Sequence, residues 1–277
     1  MQNTERIQKF LAGESANEID GWFFPLDQRA FFEIFSVQNQ LRITGDVVEV
    51  GVHHGKSLVL LSLLKNVTER LLGFDLFHGD SQARTEANVD AYGDPTAISL
   101  IKGLTSDISR TDLDTLLPKQ LRFLHIDAGH EYHEVLEQLL LFSPYLSDHG
   151  IIAMDDYQDR EFPGIEAAVL DFSEIDRPRR FVPFLASGNK LFMCCTQVAN
   201  IFQQSLLHRL GETWRLTRVR DFNILIMRSK LPVATEKIRD QLARTKFPSR
   251  PDTELSLNQK AERFAQISFG SGEQPTK

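Results

Sequence analysis

The chain has 277 residues, a net charge of −7 and 42% apolar residues, which is ordinary for a soluble globular protein with one large domain and room for an appendage. The negative charge argues against a nucleic-acid substrate held by a basic surface, and no apolar run approaches the roughly 20 residues of a membrane span. The N-terminus does not resemble a signal peptide, and the adjacent Cys194 and Cys195 suit neither a structural disulfide nor a zinc site. A reducing cytoplasm is the simplest expected setting.

The N-terminal segment predicts a helical cap in front of an α/β core. Residues 1–20 are polar, and an aromatic cluster follows at residues 22–24. Apolar residues at helical spacing then predict a helix that Asp27 caps. We expect this cap segment to cover the sheet or the edge of a functional site.

Residues 47–57 predict a buried strand, a glycine turn and the start of a helix. The β-branched run 47–50 is typical of a strand buried on both faces, and Gly51 and Gly55 lie in the turn. This arrangement is the nucleotide-binding corner of an open α/β sheet. Its glycine spacing fits neither a phosphate loop nor a dinucleotide loop. Glu49 precedes the first glycine by two residues and suits a cationic amino acid better than a pyrophosphate.

The second and third predicted strands also end in polar residues. A strand over residues 70–74 ends at Asp75, where a carboxylate holds the ribose hydroxyls of a nucleoside or, alternatively, caps a helix. A third strand over residues 97–102 is followed by Ser106 and Asp107. These two residues are predicted either to reach the adenine edge of a nucleoside or to cap the next helix.

The fourth and fifth predicted strands, residues 121–126 and 150–154, are separated by a predicted helix over residues 132–146. The polar residues that follow the two strands are Asp127, His130, Asp155 and Asp156. Because ligands of open α/β sheets lie beyond the carboxyl ends of the strands, we expect these side chains to converge.

Five alternations of strand and helix predict an α/β fold with a Rossmann-like, doubly wound, mostly parallel sheet. Apolar runs at 181–185 and 190–195, joined by a hairpin turn, predict a terminal antiparallel pair. Beyond them we expect a helix, an extra strand pair over 214–228 that serves either as a dimer surface or as a cover for the substrate mouth, and a helix over 236–245. The predicted units are a helical cap (1–40), a core (41–197), a C-terminal appendage (198–247) and a polar, partly disordered tail (248–277).

Three clustered carboxylates are costly unless a cation shares them or one of them takes up a proton. Oxygen ligands favour a hard ion such as Mg²⁺, Ca²⁺ or Mn²⁺ over Zn²⁺, so we expect one divalent ion on Asp127, Asp155 and Asp156. The alternative is that Asp155 or Asp156 only caps the next segment and that no metal binds. His130 would lie beside the ion and accept a proton from a substrate hydroxyl, with His133 as the rival base.

In their order along the chain these motifs resemble class I S-adenosylmethionine (SAM) methyltransferases. The first is Glu49-Val-Gly-x-x-x-Gly-x-Ser57, and the later ones are Asp-x-x-His after residue 126 and Asp-Asp-Tyr after residue 154. The resemblance covers residues 20–197 and is closest to the branch of macrocin-type and other bacterial sugar and natural-product O-methyltransferases. One departure is His149, where that branch has a glycine.

The resemblance implies that Glu49, Gly51, Ser57 and Asp75 hold SAM, that Asp127, Asp155 and Asp156 ligate Mg²⁺, and that His130 is the general base. We further expect His53, Gly55, Ser106, Asp107 and Asp127 to line the cofactor site.

The preferred hypothesis is a SAM- and metal-dependent O-methyltransferase that acts on a small hydroxylated molecule such as a sugar or a glycosylated metabolite. A nicotinamide-dependent oxidoreductase is disfavoured because Gly-x-Gly-x-x-Gly is missing. A SAM- or nucleotide-binding module without catalysis is disfavoured because such a module has no need of clustered carboxylates. No nucleic-acid or membrane partner is expected, and the choice between monomer and homo-oligomer is open.

Overall fold

The computed structural model describes residues 2–117, 120–175, 180–210, 214–219 and 222–228. In these ranges the helices are α1 (Gln2–Leu11), α2 (Pro25–Gln40), α3 (Lys56–Leu64), α4 (Ser81–Tyr92), α5 (Arg110–Leu116), α6 (Tyr132–Phe142), α7 (Pro163–Ile175) and α8 (Ala199–Leu210). The strands are β1 (Asp46–Val50), β2 (Leu71–Asp75), β3 (Ile98–Lys102), β4 (Leu121–Ile126), β5 (Leu146–Met154), β6 (Phe181–Ser187), β7 (Lys190–Cys195), β8 (Trp214–Val219) and β9 (Phe222–Met227). The helix predicted over 236–245 and the predicted tail lie outside the described residues.

All nine of these strands form one sheet in the order β3-β2-β1-β4-β5-β7-β6-β9-β8. The first five strands are parallel to one another, and β7 is antiparallel to both β5 and β6. The predicted mostly parallel sheet with a terminal antiparallel hairpin is therefore confirmed. The strand order reverses between β1 and β4, which is where open α/β sheets bind their ligands.

The predicted C-terminal strand pair is present as β8 and β9, which are antiparallel. β9 also pairs in parallel with β6, so the pair extends the main sheet. The boundary expected at residue 197 stays a prediction, although hydrogen bonding across the sheet continues past it.

The boundary between α6 and β5 differs from the prediction. The helix expected over 132–146 ends at Phe142, and Ser143–Tyr145 forms a 3₁₀ turn. Pro144 has no N–H with which to continue the helical ladder. β5 then starts at Leu146, four residues earlier than expected, and pairs with β4 across an irregular register.

The core lies on both faces of the central strands. All residues of β1 and β4 are buried, as the β-branched run predicts for strands between two helical layers. On one face, Phe31 and Phe35 of α2 pack against the Phe123 ring at centroid distances of 5.0 and 4.9 Å. A fully buried side chain of this size stabilises the fold by about 1.5–3 kcal/mol, so α2 is firmly docked.

None of the helices in the described part of the chain has both the length and the hydropathy that are needed to cross a bilayer.

Candidate active site

The glycine turn brings the end of β1 against the end of β4. Gly51 has φ +90°, and a Cβ at this position would lie 1.9 Å from the carbonyl oxygen of Asp127. Gly55, with φ +81°, is the N-cap residue of α3. Both glycines are therefore required by backbone geometry, and the turn leaves the N-terminus of α3 at the carboxyl edge of the sheet.

Asp75 fastens the tip of β2 to this turn. Its Oδ2 accepts the N–H groups of Val52 and His53 at 2.7 and 2.8 Å, and its Oδ1 accepts the N–H of Phe77 at 2.6 Å. The N-cap residue of α4 is Asp80, so Asp75 does not cap that helix. Three bonds leave room among the roughly four acceptor sites of a carboxylate for a hydroxyl group.

His53 and His54 lie on the outer side of the turn. Their rings stack with centroids 3.8 Å apart, and Trp22, which is 84% exposed, stacks against His53 at 6.5 Å. Thr85 and Asn88 of α4 donate hydrogen bonds to the carbonyl oxygens of the two histidines. Partial burial and the neighbouring His54 lower the pKa of His53, which favours a neutral imidazole at pH 7.

Glu49 is completely buried beneath the turn. Its Oε1 lies 2.7 Å from Nδ1 of His125, which is its register partner on β4 and is also 0% exposed. Burial and the charge of Lys190 lower the pKa of His125, so this imidazole is neutral. Glu49 therefore supports the floor of the site and does not reach its surface.

The other predicted cofactor residues lie at the same edge. Ser57 is buried in the first turn of α3, and Ser106 and Asp107 are exposed in a 3₁₀ turn after β3. The N-cap of α5 is Ser109, which forms a capping box with Asp112. Ser106 and Asp107 are therefore not the cap of that helix.

The predicted metal ligands are only partly brought together. Among the described residues, the His, Cys, Asp and Glu side chains whose ligand atoms lie within 4.8 Å of one another are His125, Asp127 and Asp155. Asp156 is outside this group and has φ +50°. One of its oxygens accepts a bond from Asn189 Nδ2 at 2.8 Å, and the other lies 3.3 Å from His130 Nε2.

A lysine that the sequence analysis missed lies against the acidic pair. Lys190 Nζ is 2.6 Å from Oδ1 of Asp155 and 3.9 Å from Oδ2 of Asp127, and the Lys190 side chain is 1% exposed. Burial opposes charge on both Lys190 and Asp155, but their mutual attraction outweighs it, raising the pKa of Lys190 and lowering that of Asp155 to about 2. Burial and the Asp155 carboxylate raise the pKa of Asp127 well above its usual range.

These contacts do not fit a divalent ion on the three aspartates. Oδ1 of Asp155 already accepts bonds from Lys190 Nζ and from the Asp156 N–H at 2.9 Å. The ammonium group lies where an ion shared by Asp127 and Asp155 would bind, and like charges repel. The Mg²⁺ ion expected from the sequence therefore stays a prediction that this geometry does not favour.

His130 stands at the open side of the site. Its ring stacks on Phe162 with centroids 4.1 Å apart, and its side chain is 43% exposed. The Asp156 carboxylate beside Nε2 orients the ring. The rival base His133 is an exposed residue of α6.

A cavity of about 390 Å³ lies beside Lys190. It is lined by the β6–β7 turn together with Tyr157, Lys190 and Ile226. Its volume lies in the range of small-molecule sites, roughly 300–1,000 Å³.

Residues 48–157 match a family model described as a methyltransferase domain. This part of the chain is therefore similar to methyltransferase domains. The matched range begins in β1 and ends immediately after Asp156, so it contains every site residue predicted from the sequence.

A relative in sequence was also found. The chain is 30% identical over 125 residues to the uncharacterized protein R132 of Acanthamoeba polyphaga mimivirus, and the match covers 44% of this chain and 56% of that protein. The match thus spans only about half the length of this relative.

Two solved structures share the fold at a TM-score of 0.50 and 13% identity. An O-methyltransferase from Bacillus cereus, solved in complex with SAH, is matched over 68% of this chain and 89% of its own. A cofactor-bound protein from MTB, Rv0187, is matched over 69% and 89%. At such identity the likeness is one of fold.

Proposed function

We propose that this protein is a SAM-dependent O-methyltransferase that acts on a hydroxyl group of a small molecule. The observation that carries the proposal is the methyltransferase-domain match, which runs without a break from β1 to Asp156. The carboxyl edge of the sheet, where β1, β2, β4 and β5 end, is the place where an open α/β fold holds its ligands.

SAM would lie over the glycine turn. Asp75 has acceptor capacity left for a ribose hydroxyl, and Gly51 is assigned to the cofactor site because it forms the turn. The further residues assigned to the cofactor site are His53, Gly55, Ser57, Ser106, Asp107 and Asp127. Glu49 supports the site from its buried position beneath the glycine turn. When bound, SAM supplies an electrophilic methyl group.

His130 would act as the general base. Nε2 faces the Asp156 carboxylate at 3.3 Å, which leaves Nδ1 to accept the proton of the acceptor hydroxyl. The stack on Phe162 and the contact with Asp156 fix the plane of the ring, so the proton acceptor is held in one orientation. With its proton on His130, the acceptor oxygen would be the nucleophile for the methyl group that SAM supplies, and S-adenosylhomocysteine would be the leaving group, with no covalent enzyme intermediate.

The cavity beside Lys190 and Tyr157 is the candidate acceptor site. Its walls combine the polar β6–β7 turn with apolar side chains such as Leu26 and Ile226. This lining suits a small hydroxylated molecule with an apolar face, such as a sugar, a glycosylated metabolite or another natural product.

Calorimetric titration tests the cofactor assignment. We expect SAM and its demethylated product to bind one per chain and NAD not to bind. If NAD binds and SAM does not, the proposal fails and a nicotinamide-dependent oxidoreductase takes its place.

Transfer of labelled methyl groups to a panel of hydroxylated small molecules tests the chemistry. We expect His130→Asn to lower the rate by about 10²–10⁴-fold, because it removes the general base. The matched control is His133→Asn in the first turn of α6, three residues further along the chain, which should keep the rate and SAM affinity of the unmodified protein. SAM binding without transfer to any acceptor in the panel would instead indicate a binding module.

A further inference from the structure

The position of Lys190 is set by main-chain pairing. Met154 of β5 is the antiparallel register partner of Leu191 of β7, so the residue that follows Met154 lies opposite the residue that precedes Leu191. These two residues are Asp155 and Lys190. The N–H of Tyr157 also bonds to the carbonyl oxygen of Asn189 at 2.8 Å, which holds the turn against the tip of β5.

The ammonium group is enclosed by charged and aromatic groups. Nζ lies 2.6 Å from Asp155 and 3.9 Å from Asp127, and it stands 5.5 Å from the centroid of the Phe23 ring. A buried ammonium without such partners would be strongly unfavourable, and so would a buried pair of carboxylates without a cation. The ammonium group of Lys190 and the two carboxyl groups therefore stabilise each other.

We propose that Lys190 is a built-in cation that takes the place of a divalent metal ion at the acidic pair, so that the methyltransferase domain holds Asp127 and Asp155 together without a metal. The part of the proposal that concerns metal binding is argued from the contacts alone. The role of the cluster in methyl transfer rests on the function proposed above.

The chemistry of the donor atoms explains why one cation excludes the other. A Mg²⁺ ion bonds carboxylate oxygens at about 2.0–2.1 Å in near-octahedral geometry. Oδ1 of Asp155 is already occupied by Nζ and by the N–H of Asp156. A divalent ion would have to displace the lysine, whose side chain is 1% exposed.

In this arrangement Lys190 is a positioning residue. It contacts Asp155, which is buried, whereas the Asp127 side chain is 25% exposed at the surface of the site. Asp127 is thus the member of the pair that can bond an acceptor hydroxyl. Lys190 and Asp155 lie on the buried side of Asp127 and position its side chain, which is the role that a metal ion has in a metal-dependent site.

The first test uses the unmodified protein and Mn²⁺, whose free concentration is read by electron paramagnetic resonance. We expect no stoichiometric Mn²⁺ binding, and we expect EDTA to leave the thermal midpoint and SAM affinity unchanged. One bound Mn²⁺ per chain that is lost in Asp155→Asn and kept in the exposed control Asp90→Asn would overturn the proposal. SAM affinity is measured in the same samples. A protein that does not bind SAM would contradict the cofactor assignment, whatever its affinity for Mn²⁺.

The second test removes the cation. Lys190→Met leaves two facing carboxyl groups without a positive partner, so we expect this variant to gain one Mn²⁺ site. The control Lys65→Met changes another buried lysine, at the end of α3 and away from the pair, and should gain none. A folded Lys190→Met protein that binds no Mn²⁺ would count against the proposal, and if this variant does not fold, the titration of the unmodified protein still decides.

Discussion

Asp27 is a residue whose charge opposes folding. It is fully buried in α2, and its Oδ1 accepts the hydroxyl of Ser187 at 2.6 Å. Burial raises its pKa to about 6, from an ordinary value of 3.8. The folded chain therefore keeps a proton that the unfolded chain has already released, and stability falls as the pH rises from about 4 to about 6.

Asp27→Asn should remove this cost. Above pH 6 we expect the free energy of unfolding to rise by up to about 3 kcal/mol, since one pKa unit corresponds to about 1.4 kcal/mol. The gain should disappear below pH 4, where Asp27 is neutral in both states. Urea unfolding across this pH range is the measurement, with the exposed Asp148→Asn as control. A difference that does not change with pH would show that the effect comes from packing and not from ionisation.

At the scale of elements, stability and chemistry lie at opposite edges of the sheet. At the amino edge, the buried Arg122 of β4 bonds Glu69 Oε2 at 2.7 Å and Asn39 Oδ1 at 3.0 Å. Glu69 also accepts the N–H groups of Gly45 and Asn66, which precede β1 and β2. One carboxylate thus connects the starts of three strands.

Glu69→Ala should be strongly destabilising, because it leaves the Arg122 guanidinium buried without a counter-charge. We expect a loss of about 3–5 kcal/mol in the free energy of unfolding. The double variant Glu69→Ala with Arg122→Met should recover part of this loss. SAM affinity of the folded fraction should stay the same, since the pair is far from the carboxyl edge. A loss below about 1 kcal/mol would mean that the pair is dispensable.

The sequence predicted well those features that depend on residues close together in the chain. The buried run of β1, the glycine turn and the alternation of strands and helices each depend on neighbouring residues, and the structure has them. The boundary at Phe142 was missed because apolar spacing continues through the proline. Lys190 was missed because its partner is set by the register of β7 on β5. Lys190 is the first residue of a strand whose six residues are all buried. A lysine directly before an apolar run is a sequence signal that could have indicated a buried, paired ammonium group.

At the scale of the whole molecule, the exposed aromatic residue at the mouth of the site provides an optical probe. The chain has two tryptophans, and Trp214 is 3% exposed whereas Trp22 is 84% exposed beside His53. We expect SAM binding over the glycine turn to change the emission of Trp22. Trp22→Phe should abolish this change while calorimetry still detects binding. A change that survives in Trp22→Phe would place the response at Trp214.

The place of β7 in the sheet has a consequence for the order in which the site is completed during synthesis. β7 lies between β5 and β6, although both are made before it. The chain is synthesised from its N-terminus, so Asp127 and Asp155 leave the ribosome before their cation. The acidic pair therefore gains its positive partner only when the last strand of the hairpin enters the sheet and delivers Lys190.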